Sequence, residues 1–491
     1  MSEVSRRTFL QAAAGTALGA AFLPQAHAAD APAAQPAGGR LILPPLMGNR
    51  FFTFNSVIRV NQIEVTRERN AGQDEASIHT PQAVQALRDA FEKGWPGGRM
   101  TWAFSWRALQ DSRENYRAIR KQVVGFHHQF GDEITFIPGG YFANMYNTRQ
   151  QVNKDLHDAL AMVSAMVGHG YRPRIVLACY LAAENQRFLA EEEGIHVCQG
   201  NAWSSYAIDS GDGEGSVNYP YYPSREHFCK PAQGNEDFID CVNLDGWTMD
   251  FLSARHAGAS RGFNSRMGVG PLETVFAYGT EVGVKEMLAT TAAHFDQGFA
   301  LNGFAWVTNG WEACLVEGWE NNMPPREWWA NNMPPREGWE NKLNKDRNGL
   351  DGLVLWLSEV RRRWPHATCI TQGEFGLTWR EQFKDNSRWS YRFVQRGSGI
   401  GGSDENMEIR WFMNKDFRLA LLRDWKANGP EMVIDFTRYD LKAAEPKDMC
   451  RNWSLMNRLN QKGTRPQDKP IPLAQLASPE LAMIRRRYAD L

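Results

Sequence analysis

Short apolar runs along the chain alternate with longer segments in which apolar residues recur every three or four positions. The short runs predict buried strands, and the longer spacing, as at Val152, Leu156 and Leu160, predicts helices with one apolar face. Thr80 and Pro81 have the residue types of a helix cap and a first helical position. The predicted strands are 51–60, 99–106, 133–137, 174–180, 195–199, 238–244, 303–308 and 368–372, and the predicted helices are 81–93, 111–130, 148–167, 182–193, 282–299 and 350–364.

Regular alternation of strand and helix with short connections is typical of a parallel α/β architecture. Seven or eight such units fall within residues 49–379, and that number fits a closed barrel better than an open sheet. No glycine-rich phosphate loop follows the first strand, which counts against a dinucleotide-binding fold. We therefore expect a (β/α)7-8 barrel as the catalytic domain over 49–379.

The pattern changes after the predicted barrel. Residues 388–395, 408–412 and 431–436 resemble strands, and residues 416–428 resemble a helix. We therefore expect a smaller C-terminal accessory domain, α+β or β-rich, over 380–491.

The first residues have the pattern of an export signal. Arg6 and Arg7 form a twin-arginine pair, a stretch of small apolar residues follows, and Ala26-His27-Ala28 is an A-x-A cleavage pattern. We expect a signal peptide over 1–28 that is read by the Tat translocase, and a linker rich in Ala, Pro and Gly over 29–48. The predicted location is periplasmic or secreted.

Composition narrows the classes of partner. The formal net charge is −1 and no basic tract is interleaved with aromatic residues, so we expect no nucleic-acid partner. No apolar run after the signal reaches the roughly 18 residues of a membrane helix, so we expect no integral membrane segment after cleavage.

The 18 tryptophans suit a protein that stacks on sugar rings, although Trp is also a core residue. None of the 7 cysteines forms C-x-x-C, which favours buried thiols and leaves one disulfide open.

Two segments interrupt the alternation. The loop 201–236 mixes aromatic with charged side chains, and we expect it to close over a substrate cleft unless its aromatics only fill the core. Its candidate substrate-binding residues are Trp203, Tyr222, Arg225 and His227.

The segment 317–341 repeats Glu, Trp and Asn every ten residues around Pro-Pro pairs. It is either a sugar-binding lip or a tandem duplication tolerated in a surface loop.

Four stretches carry a family resemblance: FIPGGYFANMYNTR (136–149), LAEEEGIHVCQG (189–200), YPYYPSREHFCK (219–230) and DFIDCVNLDGW (237–247). They resemble an uncharacterised family of exported bacterial proteins whose barrel region is similar to the glycoside hydrolase/deacetylase superfamily. The resemblance implies a (β/α) barrel and carries over no catalytic residue. Metal-dependent deacetylases of that superfamily typically use a carboxylate with H-x-x-x-H, and none of the 11 histidines here has that spacing.

Active sites of parallel α/β proteins lie at the carboxyl ends of the strands, so acidic residues that follow predicted strands are candidates. Glycoside hydrolysis needs two carboxyl groups that flank the scissile bond. The candidate catalytic residues are Glu374, Asp245 and Glu184. The alternatives are a helix cap or salt bridge at Glu374, an Asx-turn at Asp245, and a solvated first helical turn at Glu184.

Other motifs near strand ends supply binding candidates. The tryptophans placed there are Trp247, Trp306 and Trp311. Three carboxylates among glycines form either a calcium site, without the D-x-D-x-D-G spacing, or a solvated turn, and they are Asp209, Asp212 and Glu214. Residues 397–402 match G-x-G-x-x-G, but they lie far from the first strand and are interpreted as a flexible loop.

The sequence therefore predicts an exported carbohydrate-active hydrolase. The leading hypothesis is a glycoside hydrolase that uses two carboxylates on a polysaccharide or oligosaccharide and requires no cofactor. The alternatives are a metal-assisted polysaccharide deacetylase, with Ca²⁺ or another divalent metal, and a glycan-binding protein without catalysis.

Overall fold

The computed structural model describes residues 41–64, 70–138, 143–178, 180–201, 215, 217–257, 268–312, 348–447, 449–450, 453, 455 and 469–491. The predicted signal peptide and the repeat 317–341 lie outside these residues, so their predictions stay predictions.

The described elements alternate along the chain as the sequence pattern predicts. The strands are β1 Arg50–Ile58, β2 Asn61–Glu64, β3 Asn70–Asp74, β4 Thr101–Ser105, β5 Glu133–Ile137, β6 Val176–Leu177, β7 Val197–Gln199, β8 Val242–Asn243, β9 Ala305–Glu312, β10 Thr368–Cys369, β11 Ser390–Arg396, β12 Met407–Asn414, β13 Phe417–Asp424, β14 Met432–Arg438 and β15 Ile471–Pro472. The helices are α1 Pro81–Gly94, α2 Trp106–Gln110, α3 Glu114–Phe130, α4 Ala143–Tyr146, α5 Arg149–Val167, α6 Ala183–Glu191, α7 Phe251–Ala257, α8 Pro271–Tyr278, α9 Thr280–Ala292, α10 Phe299–Asn302, α11 Gly349–Arg363, α12 Gln372–Gln382 and α13 Ser478–Arg487. Each of the predicted helices before residue 380 is confirmed.

Helix starts follow from local side-chain chemistry. The Thr80 hydroxyl accepts a hydrogen bond from Ala83 N (3.1 Å), and the Thr148 hydroxyl accepts one from Gln151 N (3.2 Å). Each bond satisfies a backbone donor that the helix itself leaves without a partner. These caps fix where α1 and α5 begin.

The first sheet is parallel and centres on β1. β1 pairs with β4, β9 and β10, and β4 pairs with β5. Every residue from Phe51 to Ile58 is buried, as expected for a strand covered on both faces. β1 contributes apolar side chains to the core on both faces of the sheet and also buries the polar residues Thr53, Asn55 and Ser56.

A second parallel sheet contains β6, β7 and β8. The predicted strands 174–180 and 238–244 are reduced in it to two residues each, Val176–Leu177 and Val242–Asn243. Within the described ranges, strand pairing forms two separate parallel sheets, and no single sheet closes on itself. The expected parallel α/β character is therefore present. The expected closed (β/α)7-8 barrel is not, because strand pairing among the described residues leaves the two sheets separate.

The C-terminal region is an antiparallel sheet in the order β11–β12–β13–β14–β15. The helix predicted over 416–428 is wrong, because Phe417–Asp424 is the strand β13, paired on both sides with β12 and β14. Most of its apolar residues are buried on both faces of the strand. Apolar and polar residues therefore do not alternate along it as they do in a half-exposed strand. Phe417, the first residue of β13, packs against Tyr488, which follows α13, with the two ring centroids 6.0 Å apart.

Two further observations concern membrane helices and cysteines. Within the described residues, no helix is both long and apolar enough to cross a bilayer. Among the described cysteines, Cys198, Cys229, Cys241 and Cys369 are buried. The buried thiols agree with the sequence-based interpretation.

Candidate active site

A cleft of about 610 Å³ lies where α5 and α6 begin, after the carboxyl ends of β5 and β6. Its volume is typical of a small-molecule site, for which about 300–1,000 Å³ is usual. The lining residues are Asn144, Asn147, Thr148, Arg149, Gln150, Glu184, Arg225, Glu226, Ala444, Glu445, Lys447 and Met449. Two residues predicted for the site, Glu184 and Arg225, are among them.

Glu184 presents a carboxylate to this cleft. It lies in the first turn of α6, and its side chain is 45% exposed. Arg149 Nε lies 3.7 Å from Glu184 Oε2. A carboxylate in the first turn of a helix is favoured by the helix dipole. The cleft therefore holds an accessible carboxylate beside a cation.

Glu445 holds Arg149 in place from beneath the cleft. Its Oε2 accepts a hydrogen bond from Arg149 Nη2 (3.1 Å), and its Oε1 accepts one from Ala183 N and one from Phe228 N (each 2.8 Å). Burial raises the pKa of Glu445, although these donors and the charge of Arg149 oppose the rise. Arg149 also donates to the Pro446 carbonyl (2.8 Å), so its orientation is fixed by two acceptors.

Glu226 is a second carboxylate in the cleft. It accepts a hydrogen bond from the buried Lys230 Nζ (2.6 Å) and another from Lys442 Nζ (2.5 Å). Burial acts to raise the pKa of Glu226, but the two lysines outweigh burial and the pKa is lowered. Glu226 is therefore a carboxylate at neutral pH. Arg225 beside it is 43% exposed and pairs with Glu191 (3.0 Å).

Glu374 lies at the opposite, amino-terminal edge of the first sheet. Its Oε1 accepts a hydrogen bond from Arg99 Nη1 (2.6 Å), and Arg99 precedes β4. Its Oε2 accepts one from Thr371 N (3.1 Å), while Glu374 N donates to the Thr371 hydroxyl (3.2 Å). These reciprocal bonds are the capping box of α12. The structure thus places Glu374 in a helix cap and a salt bridge, away from the cleft.

Asp245 and two of the predicted tryptophans lie inside the protein. Asp245 is 4% exposed, and its Oδ1 accepts a hydrogen bond from Trp247 N (3.3 Å), as in an Asx-turn. Trp247 is partly buried against the apolar core. Trp306 lies on β9 and stacks on Phe375 with ring centroids 4.5 Å apart. None of the three lines the cleft.

The described part of the loop 201–236 turns its aromatic residues inward. The hydroxyl of the buried Tyr222 donates to the Phe383 carbonyl (2.7 Å). His227 is also buried, and its Nδ1 accepts a hydrogen bond from Cys229 N (3.1 Å). Of the predicted residues described in this loop, only Arg225 reaches the cleft.

Several predicted residues remain without a structural description. The described residues do not include Trp203, Asp209, Asp212 or Glu214. Trp311 lies in β9, but its side chain is not described. The rest of the described chain contains no group of three or more His, Cys, Asp or Glu side chains that could hold a metal ion. The calcium site therefore stays a prediction.

Sequence reasoning missed the Arg149–Glu445 pair. The two residues are 296 positions apart, and although Arg149 ends the family stretch 136–149, no motif includes Glu445. Glu445 lies in a segment without regular structure, where an acidic residue usually contacts solvent. Only the tertiary contact between that segment and α5 reveals the pair.

Residues 44–413 match the family model of DUF3863, a domain of unknown function with a solved structure. The chain belongs to the DUF3863 family. Residues 418–491 match a second domain of unknown function, DUF3864. The DUF3863 match confirms the predicted membership of an uncharacterised family, and the two matches meet in the turn between β12 and β13.

Among solved structures, a protein from Parabacteroides distasonis named as a candidate glycoside hydrolase/deacetylase is 47% identical, and the match covers 91% of this chain and 99% of that one with a TM-score of 0.80. A candidate polysaccharide deacetylase from Mycobacterium smegmatis is 11% identical over 70% of this chain and 96% of that one, with a TM-score of 0.39. A GH57-type branching enzyme from Pyrococcus horikoshii is also 11% identical, over 66% and 69% of the two chains, with a TM-score of 0.38. No curated protein matches the chain.

Both matched regions build the cleft of this DUF3863 protein. Arg149, Glu184 and Glu226 belong to the DUF3863 region. Glu445 and Lys447 belong to the DUF3864 region. The arginine that faces Glu184 is thus oriented by a carboxylate from the other family region.

Proposed function

We propose that this protein is an exported enzyme that hydrolyses a glycan, and that the cleft beside Glu184 is its substrate site. The observation that carries the proposal is an accessible carboxylate in a cleft of small-molecule size at the carboxyl ends of parallel strands. The name of the Parabacteroides distasonis protein, which is 47% identical, supports the same class of reaction.

Glu184 and Glu226 are the two carboxylates that we assign to the reaction. Glu226 is held in the ionised form by Lys230 and Lys442, which suits a base or a group that stabilises positive charge. We assign the attacking or water-activating role to Glu184, the accessible carboxylate beside Arg149. Arg149, 3.7 Å from the Glu184 carboxylate, orients it and is the cation that we assign to a substrate oxygen.

Deacetylation is the second candidate, because the relative's name includes it. The metal-dependent form of that reaction needs a cluster of His and carboxylate ligands. The described residues offer no such cluster, and the chain lacks the H-x-x-x-H spacing. We therefore assign no role to a metal. The two candidate reactions are distinguished by their products, which are new reducing ends for glycoside hydrolysis and free acetate for deacetylation.

The same proposal extends to the fold, in which we take the two parallel sheets as arcs of one interrupted barrel. Two hydrogen bonds support this interpretation. Thr248 N, after β8, donates to the Thr308 carbonyl in β9 (2.9 Å), and the Thr135 hydroxyl in β5 donates to the Ile175 carbonyl just before β6. An experimental structure with neighbouring strands about 4.8 Å apart at both junctions is the expected result, and an open gap at either junction contradicts it.

The catalytic proposal is tested with purified protein that lacks residues 1–28 and a panel of neutral, acidic and acetylated polysaccharides. New reducing ends report glycoside hydrolysis, and free acetate reports deacetylation. We expect Glu184→Gln to lower kcat by roughly 10²-fold or more, the usual effect of losing a general acid or base. The control is Glu192→Gln, an exposed residue directly after α6, which should stay within about twofold of wild type.

Two results would contradict the proposal. One is a folded wild-type protein that releases neither product from the panel. The other is full activity in Glu184→Gln on a polysaccharide that the wild type does hydrolyse.

A further inference from the structure

Two buried carboxyl groups meet at the junction between the helices that follow β8 and the C-terminal sheet. Asp250 directly precedes α7, and Glu286 lies in α9. Both are fully buried, Glu286 Oε1 has no hydrogen-bond donor among the described residues, and Asp250 lies close enough to act on the charge of Glu286. Two carboxyl groups that share a buried site favour a proton on one of them.

Asp250 is held by donors from two directions. Ser253 N, in α7, donates to its Oδ1 (2.7 Å). Gln395 Nε2, in β11, and the Ser403 hydroxyl donate to its Oδ2 (2.5 and 2.6 Å). Asp250 is therefore the acceptor in each of these three hydrogen bonds. The proton of the pair therefore belongs to Glu286.

The second carboxyl group binds the same C-terminal loop. The Ser398 hydroxyl donates to Glu286 Oε2. The loop also fits closely against α8, because Gly401 has φ +58° and a Cβ there would lie 2.0 Å from the Tyr278 hydroxyl. Gly401, at a variable position of the G-x-G-x-x-G match, thus allows close packing against a tyrosine.

We propose that the protonated Asp250–Glu286 pair is a pH-sensitive clasp that holds the loop 397–403 of the C-terminal sheet on helices α7 to α9. The inference is independent of the proposed function, because none of these residues lines the cleft. Raising the pH removes the shared proton, places two negative charges in one buried site, and opens the loop.

The charges around the pair support this direction. Burial, and then the charge of Asp250, raise the pKa of Glu286 to about 9. Tyr278 is the other titratable group that faces the pair, and burial raises its pKa to about 12, so it stays neutral over the same range. Lys285, on α9, pairs with Glu281 (2.9 Å).

The charged groups of the loop itself point elsewhere. Arg396 donates to the Glu405 carbonyl (3.1 Å), and Asp404 accepts a hydrogen bond from Asn406 N (2.8 Å). Among the described residues, Asp250 is the only charged group that shifts the pKa of Glu286. No described cation therefore compensates the pair when it loses its proton.

The sign of the pH effect follows from the raised pKa. The folded-state pKa of Glu286 lies above its usual 4.5, so the stabilisation is fully present below pH 4.5 and is lost as the pH rises toward about 9. One proton is released on opening within that window. The opening constant should therefore rise by about tenfold per pH unit and level off above pH 9.

Hydrogen exchange of the loop amides tests the clasp. Gly399 N donates to the Ser403 carbonyl (2.8 Å) and Ser403 N to the Ile400 carbonyl (3.0 Å), so both report opening. After correction for intrinsic rates, their opening constants in the wild type should rise about tenfold per unit between pH 6 and 8.5. In Glu286→Gln they should be independent of pH, and the control Glu281→Gln, on the exposed side of the same helix, should behave as wild type.

A flat profile in the wild type, or the same slope in Glu286→Gln as in the wild type, overturns the proposal. If Glu286→Gln does not fold, Asp250→Asn removes the same charge pair from the other side and should also give a flat profile. Ser398→Ala is the complementary variant. It removes a donor and keeps the pair, so it should increase opening at every pH without changing the slope.

Discussion

At the residue scale, Glu445 shows how one buried carboxylate joins distant segments. It accepts hydrogen bonds from α5, from the start of α6 and from the loop at Phe228. No side chain with fewer than two acceptor oxygens could satisfy all three donors. The geometry of Arg149, and through it that of Glu184, therefore depends on a residue 296 positions away in the C-terminal region.

Removing this acceptor should destabilise the protein. Glu445→Ala leaves two buried backbone N–H groups and the Arg149 guanidinium without their partner, and we expect a loss of roughly 2–4 kcal/mol in the free energy of unfolding. Glu445→Gln keeps an acceptor oxygen but loses the charge, so its loss should be smaller. Urea unfolding monitored by tryptophan fluorescence measures both, with Glu192→Ala as the exposed control. An unchanged midpoint in Glu445→Ala would contradict this role.

At the element scale, helices are predicted better than strands. The starts of α1 and α5 follow from Thr80 and Thr148, which bond to amides three residues away, so the signal is local. Strands depend on partners elsewhere in the chain. β13 reads as a helix in isolation and becomes a strand because β12 and β14 flank it.

The capping box of α12 gives a prediction at this scale. Thr371→Ala removes the acceptor of Glu374 N, and we expect a loss of about 1 kcal/mol in the free energy of unfolding. Thr371→Ser keeps the hydroxyl and should stay within about 0.5 kcal/mol of wild type. Thermal unfolding of the three proteins measures the difference. Equal stability of wild type and Thr371→Ala would show that the cap contributes nothing.

At the scale of the whole molecule, the rule that sites lie at the carboxyl ends of strands finds part of the cleft. It predicts Glu184, which follows β6, but it also selects Asp245 and Glu374, which the structure places in a turn and in a helix cap. The rule cannot select Glu445, because that residue follows no strand of the parallel sheets and reaches the cleft from the C-terminal region. Residues that meet through tertiary contact leave no mark in the local pattern.

Export is the second property at this scale that can be measured. The twin-arginine pair and the Ala26-His27-Ala28 pattern predict cleavage after residue 28. N-terminal sequencing of the protein from the periplasm or medium should begin near Ala29. Replacing Arg6 and Arg7 by Lys should keep the precursor in the cytoplasm. Normal export of that variant would contradict the twin-arginine assignment.

The central claim is that the cleft beside Glu184 binds the glycan. The most direct measurement is a crystal structure of Glu184→Gln with an oligosaccharide from a polysaccharide that the wild type hydrolyses. The account predicts a sugar ring in the cleft, with the scissile bond within hydrogen-bond distance of residue 184 and a sugar oxygen within reach of Arg149. An oligosaccharide bound elsewhere on the protein, with the cleft occupied only by water, would contradict it.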